Sequence, residues 1–423
     1  MVHSSAEDEW PRWRGPDGRG HAVAAVDLPV HWSTTKNVAW FTGIPGRGHS
    51  SPVISGQQIW VTTALETEAS KEEIEKRRDG ILGDYTMLAI LSQVTMKAVC
   101  IDRGTGKILK QIELLTVEDP QGAHRLNSYA TPTPVIRQGR LYCHFGAYGN
   151  ACVEVSSGKV LWTNTELFVE HINGPVSKPI LWKNLMIFHM DGGHNQFVAA
   201  LDVGSGKVVW KTDRSGELPK NPQVRKSYST PLIMKVEGKD QLISPAANWL
   251  FAYDPATGRE LWKFEYGNPG YSNVSSPIEG DGLLFLPTGY GTSEMLVLRL
   301  KGEQLPEVVW RHKKGAPRTS SPILVDKQLY YISDSGILSC LEAKSGKVNW
   351  QERLNGNYSV SPLYADGHLF FCSQEGKVQV IDPGVKYQPI SINEMGSPIM
   401  SSPAAVGKAI YLRTVSGMFK LQK

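Results

Sequence analysis

Asp191-Gly192-Gly193-His194 sets a carboxylate and an imidazole three positions apart across two glycines. That spacing lets both reach one ion, with His144 from a neighbouring repeat as a third ligand. A glycine-rich hairpin without metal explains the same run. A wider set of side chains has the chemistry of a polar ligand pocket. It comprises His49, Arg125, Asn127, Tyr129, His144, Asn173, Arg225, Tyr228, Trp249, Tyr271, Asn273, Arg318, Asn357 and Tyr358. Rings that stack, amides and guanidinium groups suit a sugar-like or peptide ligand. Tyr and Asn also recur wherever similar turns recur, so turn chemistry stays open as the alternative. Covalent catalysis has no such support. The chain lacks a Gly-x-Ser-x-Gly elbow, a His-Glu-x-x-His pair, a Cys-x-x-Cys-His haem site and the kinase signatures.

The elements that position these residues form a repeat. Eight starts are read as Ser/Thr-Pro-apolar, at Pro52, Pro134, Pro179, Pro231, Pro277, Pro322, Pro362 and Pro403. Complete repeats finish in small-x-Asp-x-x-Thr-Gly-Lys-x-x-Trp, as in Ala200 to Trp210 and Ala252 to Trp262. Short apolar runs separated by Gly/Asp turns give four antiparallel strands per repeat, which is a propeller blade. Trp162, Trp210, Trp262, Trp310 and Trp350 end the repeats, with Lys110 in that place in the first. These tryptophans are expected to dock one blade on the next, as Trp40 does from the N-terminal side. Loops entering the innermost strand and loops between the second and third strands share one face. The pocket and metal candidates all map there, around a central funnel.

The last repeat stops after its third strand, at Gly417 to Leu421, and the missing strand appears as Asn37 to Thr42. The expectation is an all-β, eight-bladed propeller of four-stranded antiparallel blades, with the N-terminal strand completing the C-terminal blade. Residues 1–36 form a segment packing on the propeller, and 37–423 form the propeller itself. The first interval is long by almost one repeat and predicts a helical insertion at about 65–93. Ser70-Lys71-Glu72-Glu73 is a capping box, with helix-spaced pairs Glu72–Lys76 and Glu73–Arg77. Two short helices joined near Gly80 and Gly83 are expected, as a lid or docking arm, or as a cap packed on the first blade. Trp10 to Pro16 is aromatic and basic, and either binds something or plugs the underside of the ring.

Composition narrows the partners. Forty-five basic and 41 acidic residues give a net charge of +4, without a nucleic-acid footprint. No apolar run is long enough to span a membrane. The first 30 residues carry charges and prolines where a secretory signal needs an apolar core, so the chain is cytoplasmic or its export signal is absent from this sequence. Cys100, Cys143, Cys152, Cys340 and Cys372 read as buried thiols. A closed ring needs no partner to cover its edges, so a monomer is expected.

The Ala-x-Asp-x-x-Thr-Gly-Lys-x-x-Trp finish resembles the repeat of the pyrroloquinoline-quinone (PQQ) quinoprotein propellers, and more closely that of their cofactor-free, BamB-like relatives. The segment from Trp10 through Trp13-Arg14-Gly15-Pro16 to Gly46-Arg47-Gly48-His49-Ser50-Ser51-Pro52 is similar to exported bacterial propellers. The resemblance implies an extracytoplasmic, periplasmic location. It implies a non-catalytic propeller, without cofactor, that recognises a protein, peptide or glycan through its funnel face. The alternative is a quinoprotein-like oxidoreductase using PQQ and calcium on an alcohol or sugar. Against it, the adjacent cysteines of PQQ alcohol dehydrogenases have no counterpart here.

Overall fold

The computed structural model describes residues 9–81, 84–267 and 270–423. Among the described residues its sheets are eight antiparallel blades of four strands each, with extra N-terminal strands on two of them, and a small two-stranded sheet of Leu88–Ala89 with Ala123–His124. The middle strands are apolar on both sides because each is covered by a neighbouring blade. Leu185–Asp191 is buried at every position, whereas the outer strand Val160–Asn164 alternates between exposed and buried. Apolar clusters therefore lie between blades: Tyr142, Cys152 and Trp162 of the second pack on Met186, Phe188 and Phe197 of the third. All five cysteines are buried and free, each thiol pushed up by burial. Cys143 pairs across its hairpin with Ala151, and Cys152 with Tyr142, so the two thiols are out of register.

The repeat finish has a physical explanation at each position. Asp202 accepts from the Ser205 N–H (2.8 Å) and hydroxyl (2.8 Å), which folds the turn. Gly206 follows at φ +72°, and a Cβ there would lie 2.5 Å from the Trp162 ring of the preceding blade. Trp162 Nε1 donates to Val203 O of the same turn (3.1 Å). Trp40, Trp210, Trp310 and Trp350 likewise donate to carbonyls of the next blade. Lys110 makes the equivalent link, its ammonium donating to Val155 O (3.0 Å). Trp262 differs: it donates to Gln241 Oε1 (3.0 Å) within its own blade.

A ring of hydroxyls joins the blades at their starts. Ser51 N–H donates to Thr133 Oγ1 (2.9 Å), Thr230 N–H to Ser276 Oγ (3.0 Å), and Ser276 N–H to Ser321 Oγ (2.9 Å). Ser321 N–H reaches Ser361 Oγ (3.0 Å), and Ser402 N–H reaches Ser51 Oγ (3.0 Å), across the closure. The third start departs from the expected pattern, because Lys178, not Ser or Thr, precedes Pro179. Lys178 donates its N–H to Thr230 Oγ1 (3.2 Å) but offers the ring no hydroxyl.

Closure follows the expectation. Val38–Thr42 pairs with Met418–Leu421 and completes the eighth blade. Upstream, Glu9–Trp10 adds to the first blade's innermost strand, and His21–Ala22 adds in parallel to the seventh blade's. Between them Trp13 lies across the channel, its Nε1 donating to Ser402 Oγ (3.3 Å) and its ring 4.3 Å from Lys178 Nζ. Arg14 is fully buried beside it, donating to Pro322 O (2.6 Å) and Arg19 O (2.8 Å).

The insertion is less helical than its sequence suggests. Its flanks are extended strands, Gln58–Glu68 and Leu91–Asp102, paired along almost their whole length. One α-helix, Lys71–Arg78, sits between them with the Ser70/Glu73 capping box formed. The expected second helix is a single 3₁₀ turn, Tyr85–Met87; Gly83 lies outside the described residues. The helix buries none of its residues, so apolar periodicity could not extend it. Arg77 does not settle on Glu73 but donates to Leu91 O (2.7 Å) and Pro120 O, pinning the helix to its own blade.

Candidate functional site

The funnel face holds a cavity of about 580 Å³ centred on the propeller axis. Trp13 forms its floor, at the level of the hydroxyl ring, and loops from most of the blades form its wall. Of the fourteen pocket candidates, His49, Asn127, Asn173, Tyr228 and Tyr271 line it. Two of these are already engaged. Asn127 donates to Asn173 O (2.8 Å) and accepts from Thr131 Oγ1 (2.6 Å), while the Tyr228 hydroxyl donates to His171 O (2.6 Å). Burial, with Arg413 and Arg47 nearby, pushes the His49 imidazole down to about 3.

The other nine stand elsewhere. Arg125 donates to Thr86 O (3.2 Å) in the insertion, and Arg225 to Pro219 O (2.6 Å) and Lys220 O (2.9 Å) in its own loop. Trp249 donates to Glu217 O (3.1 Å), and Asn357 to Glu375 Oε1 (2.8 Å), both fastening rim loops. Tyr129 donates to Gln121 O (2.8 Å), and Tyr358 to Asn355 O (3.3 Å), from buried positions. Asn273 is fully buried, donating to the Tyr266 hydroxyl (2.6 Å). Arg318 lies over the Tyr290 ring, 5.4 Å from its centroid. His144 is buried between blades, stacked on Phe188 with Nδ1 on Asn150 Oδ1 (2.7 Å). In these places the side chains mainly hold loops, which is the turn-chemistry alternative.

The three metal candidates are not brought together. Asp191 is buried in an ion pair with Arg214 (2.7 Å), His144 faces Asn150, and His194 points outward to Glu170. Among the described residues no group of three His, Cys, Asp or Glu side chains is placed to hold a metal ion. Spacing alone misleads here because successive residues of a strand end point to opposite faces. Beside His144, His171 and His189 are also buried, and together they border a small void between the second, third and fourth blades. Burial holds all three imidazoles down, His144 to about 4 and His171 to about 3.

Two cationic lining residues went unnoticed in the sequence: Lys178 and Lys226, both buried. Burial pushes each ammonium down to about 8, and at Lys178 the Arg14 guanidinium adds repulsion. Lys178 carried a readable signal, since it breaks the Ser/Thr-Pro rule; Lys226 carried none.

Comparison with known proteins fits this geometry. A family model described as outer membrane protein assembly factor BamB matches the chain in overlapping segments, residues 15–212, 95–276, 194–303 and 246–386. The chain belongs to this BamB family. Outer membrane protein assembly factor BamB from Shewanella oneidensis is 22% identical over 291 residues, covering 65% of this chain and 69% of that protein. The solved structure of BamB from Moraxella catarrhalis superposes with a TM-score of 0.55 at 14% identity, over 79% of this chain and 98% of that one. Quinohemoprotein alcohol dehydrogenase from Comamonas testosteroni gives a TM-score of 0.66 at 11% identity, over 99% of this chain and 78% of that one. At such identity these two structures carry the fold alone. No helix among the described residues is long and apolar enough to cross a membrane.

The donors of a PQQ–calcium site fit poorly here. Calcium takes about six to eight oxygen ligands, several of them carboxylates. Among the described residues Asp334 is the only carboxylate lining the funnel, and it already accepts from the N–H groups of Arg318 (3.0 Å) and Thr319 (3.2 Å).

Proposed function

We propose that this BamB-family propeller is a non-catalytic, extracytoplasmic binding scaffold that recognises a protein, peptide or glycan through its funnel face. The observation that carries this reading is the channel itself, floored by Trp13 into a blind pocket of about 580 Å³. Its wall mixes apolar Leu126, Val176 and Val224 with amides and hydroxyls, a lining suited to holding a ligand. The relatives' name, outer membrane protein assembly factor, supports a role among proteins of the cell envelope. The fold shared with a quinohemoprotein dehydrogenase keeps the oxidoreductase alternative in view, but the donor set speaks against it.

The test is calorimetric titration with a panel of defined peptides and neutral glycans, on the parent chain and on Val224→Trp, which narrows the funnel. At least one peptide or glycan should saturate on the parent and be lost in Val224→Trp, with the melting temperature unchanged. PQQ with calcium is titrated in parallel, by tryptophan fluorescence. Saturable quenching at micromolar PQQ, with no peptide or glycan bound, would replace this reading with the oxidoreductase one.

A further inference from the structure

We propose that Lys178, over Trp13, and Lys226, elsewhere on the funnel wall, are anion contacts that take the carboxylates of an acidic peptide segment. This rests on the binding-scaffold reading above. The first observation is a departure from the repeat. The other seven blades start with Ser51, Thr133, Thr230, Ser276, Ser321, Ser361 or Ser402, whose hydroxyls suit the ring around the channel. A hydroxyl at position 178 would serve the fold equally well, and the chain places an ammonium there instead.

The second observation is that both ammonium groups lack a counter-ion. Lys178 is 9% exposed and Lys226 5%. Among the described residues neither Nζ has an ion-pair or hydrogen-bond partner; Lys178 Nζ lies over the Trp13 ring, 4.3 Å from its centroid. Both side chains line the funnel, so a bound anion can reach ammonium groups that the protein has already largely desolvated and leaves without a carboxylate. Asp334, the one carboxylate on the wall among the described residues, is tied to the Arg318 and Thr319 N–H groups. Beneath the floor Arg14 is bonded only to carbonyls and adds positive potential.

The third observation separates an acidic peptide from a neutral sugar. Sugars stack on open aromatic faces, and two of the funnel's rings have a face taken, Trp13 by Lys178 and Tyr290 by Arg318, which leaves Tyr271. The apolar wall of Leu126, Val176, Val224 and Val274 suits the methylene stems of glutamate and a peptide backbone.

The probe is acetyl-Glu-Glu-Glu-amide, titrated by calorimetry against the full chain, with acetyl-Gln-Gln-Gln-amide as neutral control and free glutarate as a small carboxylate. The glutamate peptide should saturate and outcompete both. Lys178→Ser, which restores the ring hydroxyl, and Lys226→Ser should each weaken it roughly ten- to a hundred-fold, as expected for losing one charge-assisted hydrogen bond. Both variants should melt no lower than the parent, because each removes a largely desolvated cation that has no counter-ion among the described residues; a merely structural lysine would lower the melt. Equal binding of the Glu and Gln peptides overturns the anion assignment and leaves the binding scaffold standing. Glutarate binding as tightly as the peptide overturns the peptide. No binding of the glutamate peptide, or unchanged affinity in both lysine variants, overturns the pocket.

Discussion

At the scale of single residues, buried titratable groups are the dominant theme. His144, His171 and His189 are held neutral inside the ring, with Nδ1 of His189 on Ser244 Oγ (2.9 Å). Their ordinary value is 6.5, and burial depresses it in the folded state. Below 6.5 the unfolded chain binds protons that the folded one refuses, so stability falls as pH drops through that value toward about 4. Thermal melts from about pH 7.5 to 4.5 should therefore show a steep acid loss. His189→Gln should make it shallower; an unchanged slope would show that His189 does not contribute. Few of these partnerships were legible beforehand. His144 and Asp191 are residue types with metal chemistry, but Asn150 and Arg214 satisfy them, and nothing in their spacing announces those partners. Lys178 was legible as the exception in a repeated position, and its significance appears only with the ring of hydroxyls around it.

The blade finish is the element where local and tertiary demands coincide. Gly206 needs both a left-handed backbone and the absence of a Cβ, because Trp162 of the preceding blade lies against it. Gly238 has the same backbone sign, φ +82°, and open space within 4 Å of where an alanine methyl would sit. Gly206→Ala should thus lower stability by more than Gly238→Ala, which bears only a backbone strain of about 1–3 kcal/mol. Denaturant melts of the two variants decide it, and equal losses would mean that the tryptophan gives way freely. The same logic explains why the repeat was readable: one motif encodes a turn and its dock in adjacent residues. The insertion had no such double constraint. Its capping box specified a helix start correctly, yet the length of the strand pairing around it came from the sheet, not from helical periodicity.

For the whole molecule, the N-terminal segment both closes the ring and floors the channel. Val38–Thr42 supplies the outer strand of the eighth blade, with Phe41 packed on Phe419 at 4.6 Å between ring centroids. Upstream residues cross beneath the channel from the first blade to the seventh. Removing residues 1–36 should leave a folded ring with a lower melting temperature and an open channel. Removing 1–42 should abolish the cooperative melt, because the eighth blade then exposes an unpaired edge and its apolar face. Circular dichroism melts of both truncations test this; equal stability of the two would refute closure by strand exchange.

By itself, the sequence determined the number of blades, their strand order and the closure, because a turn-and-tryptophan motif repeated at near-constant spacing admits one way to bury its apolar faces. It also determined where the funnel face would lie. Which polar side chains reach the funnel was decided only by the tertiary structure. Neighbouring loops from different blades compete for each amide, imidazole and guanidinium, and most are captured before they can face a ligand. Two of the groups that remain uncaptured, Lys178 over Trp13 and Lys226 on the funnel wall, are set by contacts between residues distant in the chain, and no spacing within one repeat encodes them.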